Sequence, residues 1–379
     1  MNRQFWRIGK EELHAISKMF ESGFTGENRL KLEDEFSKRL GIKYAVSVNS
    51  GNSAIHCCLG AIGVGPGDEV IVPPLTFISP AMTVLYTGAV PIFTDINPDT
   101  FTIDPKEIER KITRKTKAII PVSVYGLCAD MDPIMKIAKR YKLYVIEDDA
   151  ESMLAEYKGR LAGTIADMSI FSFERSKHLT TGDGGMIVTD DKELALKARK
   201  FSNLGYTTLS ARQSESKITK DDVQHPDFKR HDSIGYNYRM PEICAAVARV
   251  QLKKADMFIK KRCKIARLYE KAIADSKLIT PQKTPKRYKN TYWTYAMLLD
   301  TSKVKWEEFR TRFQANGGDR FYAAWKLNYL EPVFENLSFL CPIAEKIQPR
   351  IIQLKTNYEN LEYAKNQAKI LKKTITEFE

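Results

Sequence analysis

The sequence predicts an α/β protein whose sheet is mostly parallel and carries helices on both faces. From Lys43 onward, short runs rich in β-branched residues alternate with helical patterns, which is typical of βαβ units. The 379 residues also exceed what one core comfortably holds, so we expect a large domain and a smaller one, and a single large α/β unit is the alternative. Ligands of such sheets bind at the carboxyl ends of the strands.

The predicted elements follow one another regularly. The strand and helix pairs are YAVSVNS with SAIHCCLGAIG, DEVIVPP with SPAMTVLYTG, VPIFTDI with DPKEIERKI, and KAIIPVSVYG with MDPIMKIAKRYK, and the strand LYVIEDD comes next. Later strands are DMSIFSF and GGMIVTDD, and KELALKARKF is a helix. Ser50, Tyr125, Asp148 and Ser172 fall near predicted strand ends.

We predict a large α/β domain over residues 1–245 and a small C-terminal α+β domain over residues 246–379. A long helical pattern from Pro241 links the two, and YWTYAMLLD contributes a strand to the second. The polar stretch from Ser202 to Asp232 has almost no apolar periodicity. Because a long structureless segment inside a compact domain is usually functional, we interpret it as a candidate lid.

Composition argues against several classes of protein. No apolar stretch approaches the roughly 20 residues of a membrane span, and the N-terminus is charged, so we expect a cytoplasmic protein without a membrane partner. The six cysteines show no metal-binding spacing, so no metal is expected. The formal net charge of +13 is spread over helical segments, which favours a basic surface attracting a nucleotide diphosphate over a nucleic-acid partner.

Lys177 is the candidate catalytic residue. It lies in FSFERSKHLTTGDGG, where a strand-like run ends in Ser, Thr and Gly. An isolated lysine is usually solvated, but these neighbours can contact a phosphate and bring backbone close to a ligand. A lysine of this kind can form an imine with a carbonyl compound.

Asp148 and Asp149 end the strand in VIEDDAES. Because side chains alternate along a strand, only one of the two can face a given ligand. An acid facing a pyridine nitrogen keeps that nitrogen protonated, whereas the alternatives are a helix cap or a metal-binding pair. Glu151 lies three residues beyond Asp148 and is a candidate contact to the cofactor or to the substrate.

The turn Ser50-Gly51-Asn52-Ser53 joins a strand to a helix predicted to begin near Ala54. Its backbone N–H groups and the helix dipole offer a phosphate site, and an ordinary N-cap is the alternative. Phe77 follows Pro73-Pro74 and is a candidate stacking face. Together with Lys177 and Asp148, this turn supplies what a pyridoxal phosphate enzyme needs.

The chain resembles the sugar aminotransferases of the DegT/DnrJ/EryC1/StrS family over most of its length. The resemblance is carried, in matching order, by VNSGNSAIH, GDEVIVPPLTFISPA, PVSVYG, VIEDDAES, EYKGRLAGTIADMSIFSF, SKHLTTGDGG and GYNYRMPEICAAV. It implies a fold-type I, aspartate-aminotransferase-like homodimer. It also implies pyridoxal phosphate held as an imine on Lys177, with Asp148 at the ring nitrogen and Phe77 stacked on the ring.

The resemblance further implies that Gly51, Asn52 and Ser172 hold the cofactor phosphate and that Asn237 of GYNYRM reaches it from the neighbouring subunit. Asn52 stands where the family usually has Thr, and an amide can still donate and accept hydrogen bonds there. A second departure is GGDRFYAAWKLNYLEPVF, from Gly317 to Phe334, which replaces the family's Arg, Pro and His substrate loop. Arg320 in this segment is a candidate substrate residue.

Within the family, a Glu at the position of Glu151 resembles the perosamine-synthase type. Enzymes of this type aminate C4 of a nucleotide-linked 4-keto-6-deoxy sugar. The resemblance therefore implies glutamate-dependent amination of a nucleotide-diphospho-4-keto-6-deoxyhexose for amino-sugar and polysaccharide biosynthesis. A 3-keto-sugar aminotransferase is an alternative, since Gln is usual in many of these at the Glu151 position. A pyridoxal phosphate-dependent sugar 3-dehydratase is another alternative, but such enzymes have His at the position of Lys177, so Lys177 argues against it. A cofactor-binding regulatory protein is the non-enzymatic alternative.

Overall fold

The large sheet has seven strands, of which one is antiparallel to the rest. The computed structural model describes residues 6–212 and 218–379. The strands lie in the spatial order β1 (Tyr44–Val48), β9 (Gly185–Thr189), β8 (Met168–Ser172), β5 (Tyr144–Asp148), β4 (Thr116–Ile119), β2 (Glu69–Val72) and β3 (Val90–Phe93). Only β9 runs against its neighbours β1 and β8. The predicted, mostly parallel sheet is therefore confirmed.

Helices cover both faces of this sheet because its strands are apolar on both sides. Val70 and Val72 of β2 point into one core, and Ile71 between them points into another. The helices of this part are α1 (Lys10–Ser22), α2 (Glu27–Leu40), α3 (Gly51–Ala61), α4 (Ser79–Tyr86), α5 (Pro105–Lys111), α6 (Met131–Tyr141), α7 (Lys192–Ser202) and α8 (Lys220–Gln224). The first core includes residues of α3, α4 and α7, and the second those of α5 and α6.

The long helix α9 (Glu242–Ile273) connects the large sheet to the C-terminal part. Its first half, from Ala245 to Ile259, packs with α2 and with β1, β8 and β9. Its second half, from Ile265 to Ile273, packs in a separate core of the C-terminal part. The division between residues 1–245 and 246–379 stays a prediction, and α9 belongs to both packing regions.

The C-terminal part is built on a four-stranded antiparallel sheet. Its strands, in spatial order, are β10 (Ile279–Pro281), β12 (Thr294–Leu299), β14 (Ile351–Lys355) and β13 (Tyr322–Ala323). The helices here are α10 (Trp306–Ala315), α11 (Pro342–Ile347) and α12 (Leu361–Thr376). A third, small sheet joins the two parts through β11 (Tyr288–Lys289), β6 (Glu156–Tyr157) and β7 (Arg160–Leu161).

The polar stretch from Ser202 to Asp232 contains more structure than its sequence predicts. It includes the end of α7 and the short helix α8, which begins at a Thr219 capping box. Tyr206 and His231 form an isolated bridge between its two ends. Residues 213–217 of the stretch lie outside the described residues, and its role as a lid stays a prediction.

Candidate active site

Lys177 and Glu151 form an ion pair at the carboxyl end of the large sheet. The Lys177 Nζ lies 3.0 Å from Oε1 of Glu151, and the two side chains are 13% and 4% exposed. Lys177 follows β8 by five residues and Glu151 follows β5 by three, and these strands are parallel neighbours. Strand pairing therefore brings together two residues that the sequence analysis treated as separate candidates.

The second oxygen of Glu151 is held by the backbone of Tyr125. Oε2 accepts the Tyr125 N–H at 3.0 Å. Tyr125 has a φ of 62°, a left-handed conformation that is unfavourable for a bulky residue. This unusual conformation coincides with the contact that fixes the Glu151 carboxylate, which leaves its other oxygen for Lys177.

Asp148 is the last residue of β5 and is 4% exposed. Burial raises the pKa of its carboxyl group to about 6, while the Ala150 N–H and the charge of Lys177 oppose this shift and the charge of Glu151 adds to it. The Asp149 carboxylate instead accepts the Ser152 hydroxyl at 2.7 Å, as the alternation along a strand predicts. Asp148 is thus a buried acid whose charged form a nearby cation would stabilise.

The N-terminus of α3 and the end of β8 form a cradle. A Cβ atom on Gly51 would lie 2.9 Å from the Ser172 Cβ, so only glycine allows this approach without a shift. The helix begins at Gly51 rather than near Ala54 as predicted, because Ser50 is its N-cap and accepts the Ser53 N–H. The cap and the phosphate-site interpretations are compatible, since the N–H groups of the first turn have no partner within the helix.

Four aromatic residues form a wall beside Lys177, which we call the aromatic wall: Phe77, Tyr125, Trp293 and Trp325. The Trp325 ring stacks on Tyr125 and on Trp293, with centroid distances of 6.0 and 5.8 Å and interplanar angles of 14° in both pairs. Phe77, which is half-exposed, meets Trp325 edge-on at 6.1 Å. The Lys177 Nζ lies 4.4 Å from the centroid of the Trp293 ring.

Sequence reasoning missed both tryptophans of this wall. Trp325 lies in the Gly317 to Phe334 segment, and the departure of that segment from the family pattern was the available signal. After Trp325 the chain returns to the large sheet, where the Asn328 N–H donates to the Pro74 carbonyl at 3.0 Å. The Asn328 side chain also donates to the Thr76 carbonyl at 2.9 Å, which places Trp325 beside Phe77.

His178, the neighbour of Lys177, has a different environment. Its side chain is buried, and its Nε2 lies 3.1 Å from the Thr291 carbonyl oxygen. Burial lowers the pKa of this imidazole well below its usual value, and the positive charge of Arg262 adds to the effect. A neutral His178 therefore donates to the Thr291 carbonyl.

Asn52, Asn237 and Arg320 complete the predicted set. Asn52 lies in the first turn of α3 and is partly buried. Asn237 is exposed, and its backbone bridges Asn203. Arg320 is exposed on the C-terminal part, after Asp319, and its role as a substrate residue stays a prediction, as does the contact of Asn237 with a neighbouring subunit.

Two absences concern the described residues only. Within the described residues, 6–212 and 218–379, no three His, Cys, Asp or Glu side chains are grouped so that they could hold a metal ion. Within the same ranges, no helix has both the length and the apolar character needed to cross a membrane.

Comparison with known proteins identifies the family. The DegT/DnrJ/EryC1/StrS aminotransferase family matches residues 7–370. The chain belongs to this family. It is 39% identical to a GDP-perosamine synthase of Escherichia coli O157:H7 over 318 residues, which cover 84% of this chain and 79% of that protein.

Two further relatives of this aminotransferase support the assignment. The spore coat polysaccharide biosynthesis protein SpsC of Bacillus subtilis is 41% identical over 278 residues, which are 72% of this chain and 69% of SpsC. The crystal structure of an aminotransferase from Psychrobacter cryohalolentis superimposes with a TM-score of 0.90 at 27% identity and covers 100% of both chains. The predicted family, fold class and enzyme class are confirmed, and so is pyridoxal phosphate, which aminotransferases of this family use.

Proposed function

We propose that this aminotransferase moves the amino group of glutamate to C4 of a nucleotide-diphospho-4-keto-6-deoxyhexose for amino-sugar and polysaccharide biosynthesis. The observation that carries the proposal is the Lys177 to Glu151 ion pair of 3.0 Å beside the aromatic wall. It combines a lysine, a carboxylate and a surface on which a sugar can stack. We propose further that the enzyme is a homodimer with shared active sites and works in the cytoplasm.

The described residues fit pyridoxal phosphate. Lys177 would hold its carbonyl carbon, Asp148 its ring nitrogen and Phe77 one face of its ring. The cradle of Gly51, Asn52 and Ser172 would hold its phosphate, with Asn237 of the neighbouring subunit. The close approach of Gly51 to Ser172 places the Ser172 hydroxyl beside the N-terminus of α3, and a helix N-terminus suits a dianion. When bound, pyridoxal phosphate stores the amino group between two half-reactions and absorbs the negative charge that develops on the donor's Cα.

The ion pair supports a role for Lys177 in moving protons. A lysine amine acts as a base at the donor's Cα only when it is neutral, and it acts as an acid at the sugar carbon once it is protonated. Glu151, whose position is fixed by Tyr125, stabilises the protonated form at a distance of 3.0 Å. Asp148 would stabilise positive charge on the ring nitrogen, and its raised pKa of about 6 still leaves it ionised at neutral pH.

The aromatic wall and the basic surface support a nucleotide-sugar substrate. The C–H faces of a hexose pack well on indole rings, and a site lined by aromatic rings with a few fixed polar groups is typical of small-molecule binding. The net charge of +13 attracts a diphosphate. Amination at C4 is supported by Glu151, as in the perosamine-synthase type, and by the similarity to a protein named GDP-perosamine synthase.

A competition experiment tests the position of amination. The enzyme, loaded with pyridoxal phosphate and supplied with glutamate, is given matched 3-keto and 4-keto sugars linked to GDP, UDP or dTDP. Mass spectrometry and NMR then locate the new nitrogen, which we expect at C4. Amination confined to C3 supports a 3-aminotransferase, and loss of oxygen without a gain of nitrogen supports a dehydratase, so either result overturns the proposal.

The substitution Glu151→Gln tests the observation that carries the proposal. An amide offers one acceptor oxygen where the carboxylate offers two, so the contact to either Lys177 or Tyr125 is lost. Loss of one charge-assisted buried hydrogen bond is worth about 1.5–3 kcal/mol, or roughly 10- to 100-fold in kcat/KM for the keto sugar. The matched control is Glu156→Gln, which removes a partly exposed ion pair with Lys289 and should change kcat/KM little.

A further inference from the structure

The loop that carries Lys177 is held through its backbone carbonyl groups. Residues 175 to 178 are four consecutive residues, and each of their carbonyl oxygens accepts a side-chain N–H. Arg7, which precedes α1, donates to the carbonyls of Arg175 at 2.6 Å and of His178 at 2.8 Å. It donates to the Lys177 carbonyl as well.

Arg262 of α9 contacts the same loop from a second direction. Its Nη2 lies 3.3 Å from the Ser176 carbonyl oxygen and 3.4 Å from that of Lys177. Its Nη1 donates to the Trp293 carbonyl at 2.7 Å and to the Thr356 hydroxyl at 2.9 Å. One guanidinium group therefore joins the lysine loop to the backbone of an aromatic-wall residue and to the C-terminal part.

Helix α9 also fixes the other arginine. Gln251 precedes Arg262 by eleven residues, about three helical turns, so both face the same side of α9. The Gln251 Nε2 donates to the Arg7 carbonyl at 2.8 Å, and its Oε1 accepts the Thr180 N–H at 3.3 Å. The same face of one helix thus orients both Arg7 and the chain just beyond Lys177.

The two arginines are in an unusual electrostatic setting. Their exposed fractions are 5% for Arg7 and 2% for Arg262. Among the residues that the structure describes, neither forms an ion pair with a carboxylate, so the loop carbonyls are their main polar partners. Burying a charge without an ion pair is costly, and the cost lowers the pKa of Arg7 to about 10 although the charge of Glu174 opposes this shift.

We propose that Arg7 and Arg262 are positioning residues for Lys177 and together form an arginine clamp. The clamp fixes the loop backbone, so that only the Lys177 side chain moves as its amine leaves Glu151 for the reacting atoms. Through the Trp293 carbonyl, Arg262 also fixes the distance between the aromatic wall and the lysine. This inference rests on the proposed role of Lys177 as the residue that binds the cofactor.

The test compares Arg262→Gln, Arg7→Gln, Arg262→Lys and Arg7→Lys with the matched control Arg249→Gln in the full-length enzyme. Arg249 lies on the same helix and contacts Glu35 and Asn28 instead of the loop. Pyridoxal phosphate is added to cofactor-free protein, and the rate at which the visible absorbance of the lysine-bound cofactor appears is measured. The half-reaction with glutamate is then followed by stopped flow, and thermal unfolding is recorded for each variant.

We expect the Gln variants to bind the cofactor covalently about tenfold more slowly, since the reacting amine is less well placed. In the glutamate half-reaction, the maximal rate should fall by a similar factor while the half-saturating glutamate concentration stays within about twofold. Each Lys variant keeps a charge and one donor direction and should recover part of the rate, and Arg249→Gln should match the wild type. Because Lys is the smaller change, the Lys variants decide the outcome if a Gln variant does not fold.

Three results overturn the clamp. Folded Gln variants with wild-type rates show that the loop needs no clamp. If the rates of all variants, including Arg249→Gln, fall only in proportion to their thermal stability, Arg7 and Arg262 have a purely structural role. A wild type in which Lys177 never binds the cofactor refutes the proposed function itself and the clamp with it, whereas failure with every keto sugar leaves the glutamate half-reaction as a valid test.

Discussion

The substitution Asp148→Asn should stabilise the cofactor-free protein while it abolishes transamination. Asparagine has nearly the same shape and can still accept the Ala150 N–H, which the Asp148 carboxylate accepts at 3.0 Å. It has no charge to bury, and it cannot keep a pyridine nitrogen protonated. The variant would therefore lack the charge that the cofactor needs. In the wild type, the charge of Asp148 serves function at the expense of stability.

The magnitude follows from the pKa of Asp148, which burial raises from 3.8 to about 6. A folded-state pKa above the unfolded value means that the native state binds the proton more tightly. The group therefore leaves stability unchanged below the unfolded pKa and destabilises the fold increasingly as the pH rises toward the folded pKa. With about 1.4 kcal/mol per unit, the penalty is about 1.5 kcal/mol at pH 5 and about 3 kcal/mol at pH 7.5.

The assay is urea unfolding of cofactor-free wild type and Asp148→Asn at pH 5 and pH 7.5. The variant should be more stable at both values, and its advantage should grow by about 1.5 kcal/mol between them. The charge of Asp148 also raises the pKa of Asp149, so its removal relieves Asp149 as well and adds to the advantage in the same direction. The control is Asp34→Asn, which removes an exposed carboxylate paired with Lys38 and so reports the general effect of losing one surface charge. An advantage that is independent of pH, or one that shrinks as the pH rises, would refute the reasoning.

Three other predictions concern the proposed site. Borohydride reduction and peptide mapping should find the pyridoxyl label on Lys177, and Lys177→Ala should fold but lose transamination; a label on another lysine contradicts the assignment. Mixing inactive Lys177→Ala and Asn237→Asp chains should restore part of the activity, because a hybrid dimer with shared sites has one site without either defect, and no recovery on mixing speaks against sharing. Trp325→Ala should raise KM for the keto sugar about tenfold through loss of an aromatic contact worth about 1–1.5 kcal/mol, with the glutamate half-reaction unchanged; a steady-state assay in which both amino donor and sugar are equally affected argues against the wall as a sugar surface.

Much of the fold could be predicted from the sequence because its signals are local. A buried strand of a parallel sheet is a continuous apolar run, and the runs around Val70 and Val145 show this clearly. The ends of such strands meet at one edge of the sheet, so Asp148 and Ser172 could be placed on the same side without knowledge of strand order. The contact between Lys177 and Glu151 could not be predicted without the strand order, because it depends on β5 and β8 being neighbours.

The two tryptophans of the aromatic wall could not be predicted, because they come from parts of the chain distant from Phe77 and Lys177. Trp293 and Trp325 carry no local mark that separates a site residue from a core residue. The boundary between domains was equally hard to place, since residues from Ala324 to Ile351 pack into the core of the large sheet although they follow the small sheet's first strands in sequence. A long-range return of this kind leaves no periodicity in the sequence.

The packing of residues 324–351 against the large sheet determines how the site is assembled. The Asp95 carboxylate, just after β3, accepts the N–H groups of Ile343 and Ala344 at 2.8 and 2.9 Å and so fixes the first turn of α11 to the large sheet. Asn328 makes the corresponding contacts near Phe77, so Trp325 lies between β13 of the C-terminal sheet, which it follows by two residues, and a contact to the large sheet. The indole N–H of Trp293 donates to the Ser176 carbonyl at 3.0 Å and so ties Trp293 to the loop that carries Lys177. Trp293 and the lysine therefore share the contacts of one loop, whereas Trp325 is also tied to the large sheet, and a sugar that enters between them meets a surface formed before it binds.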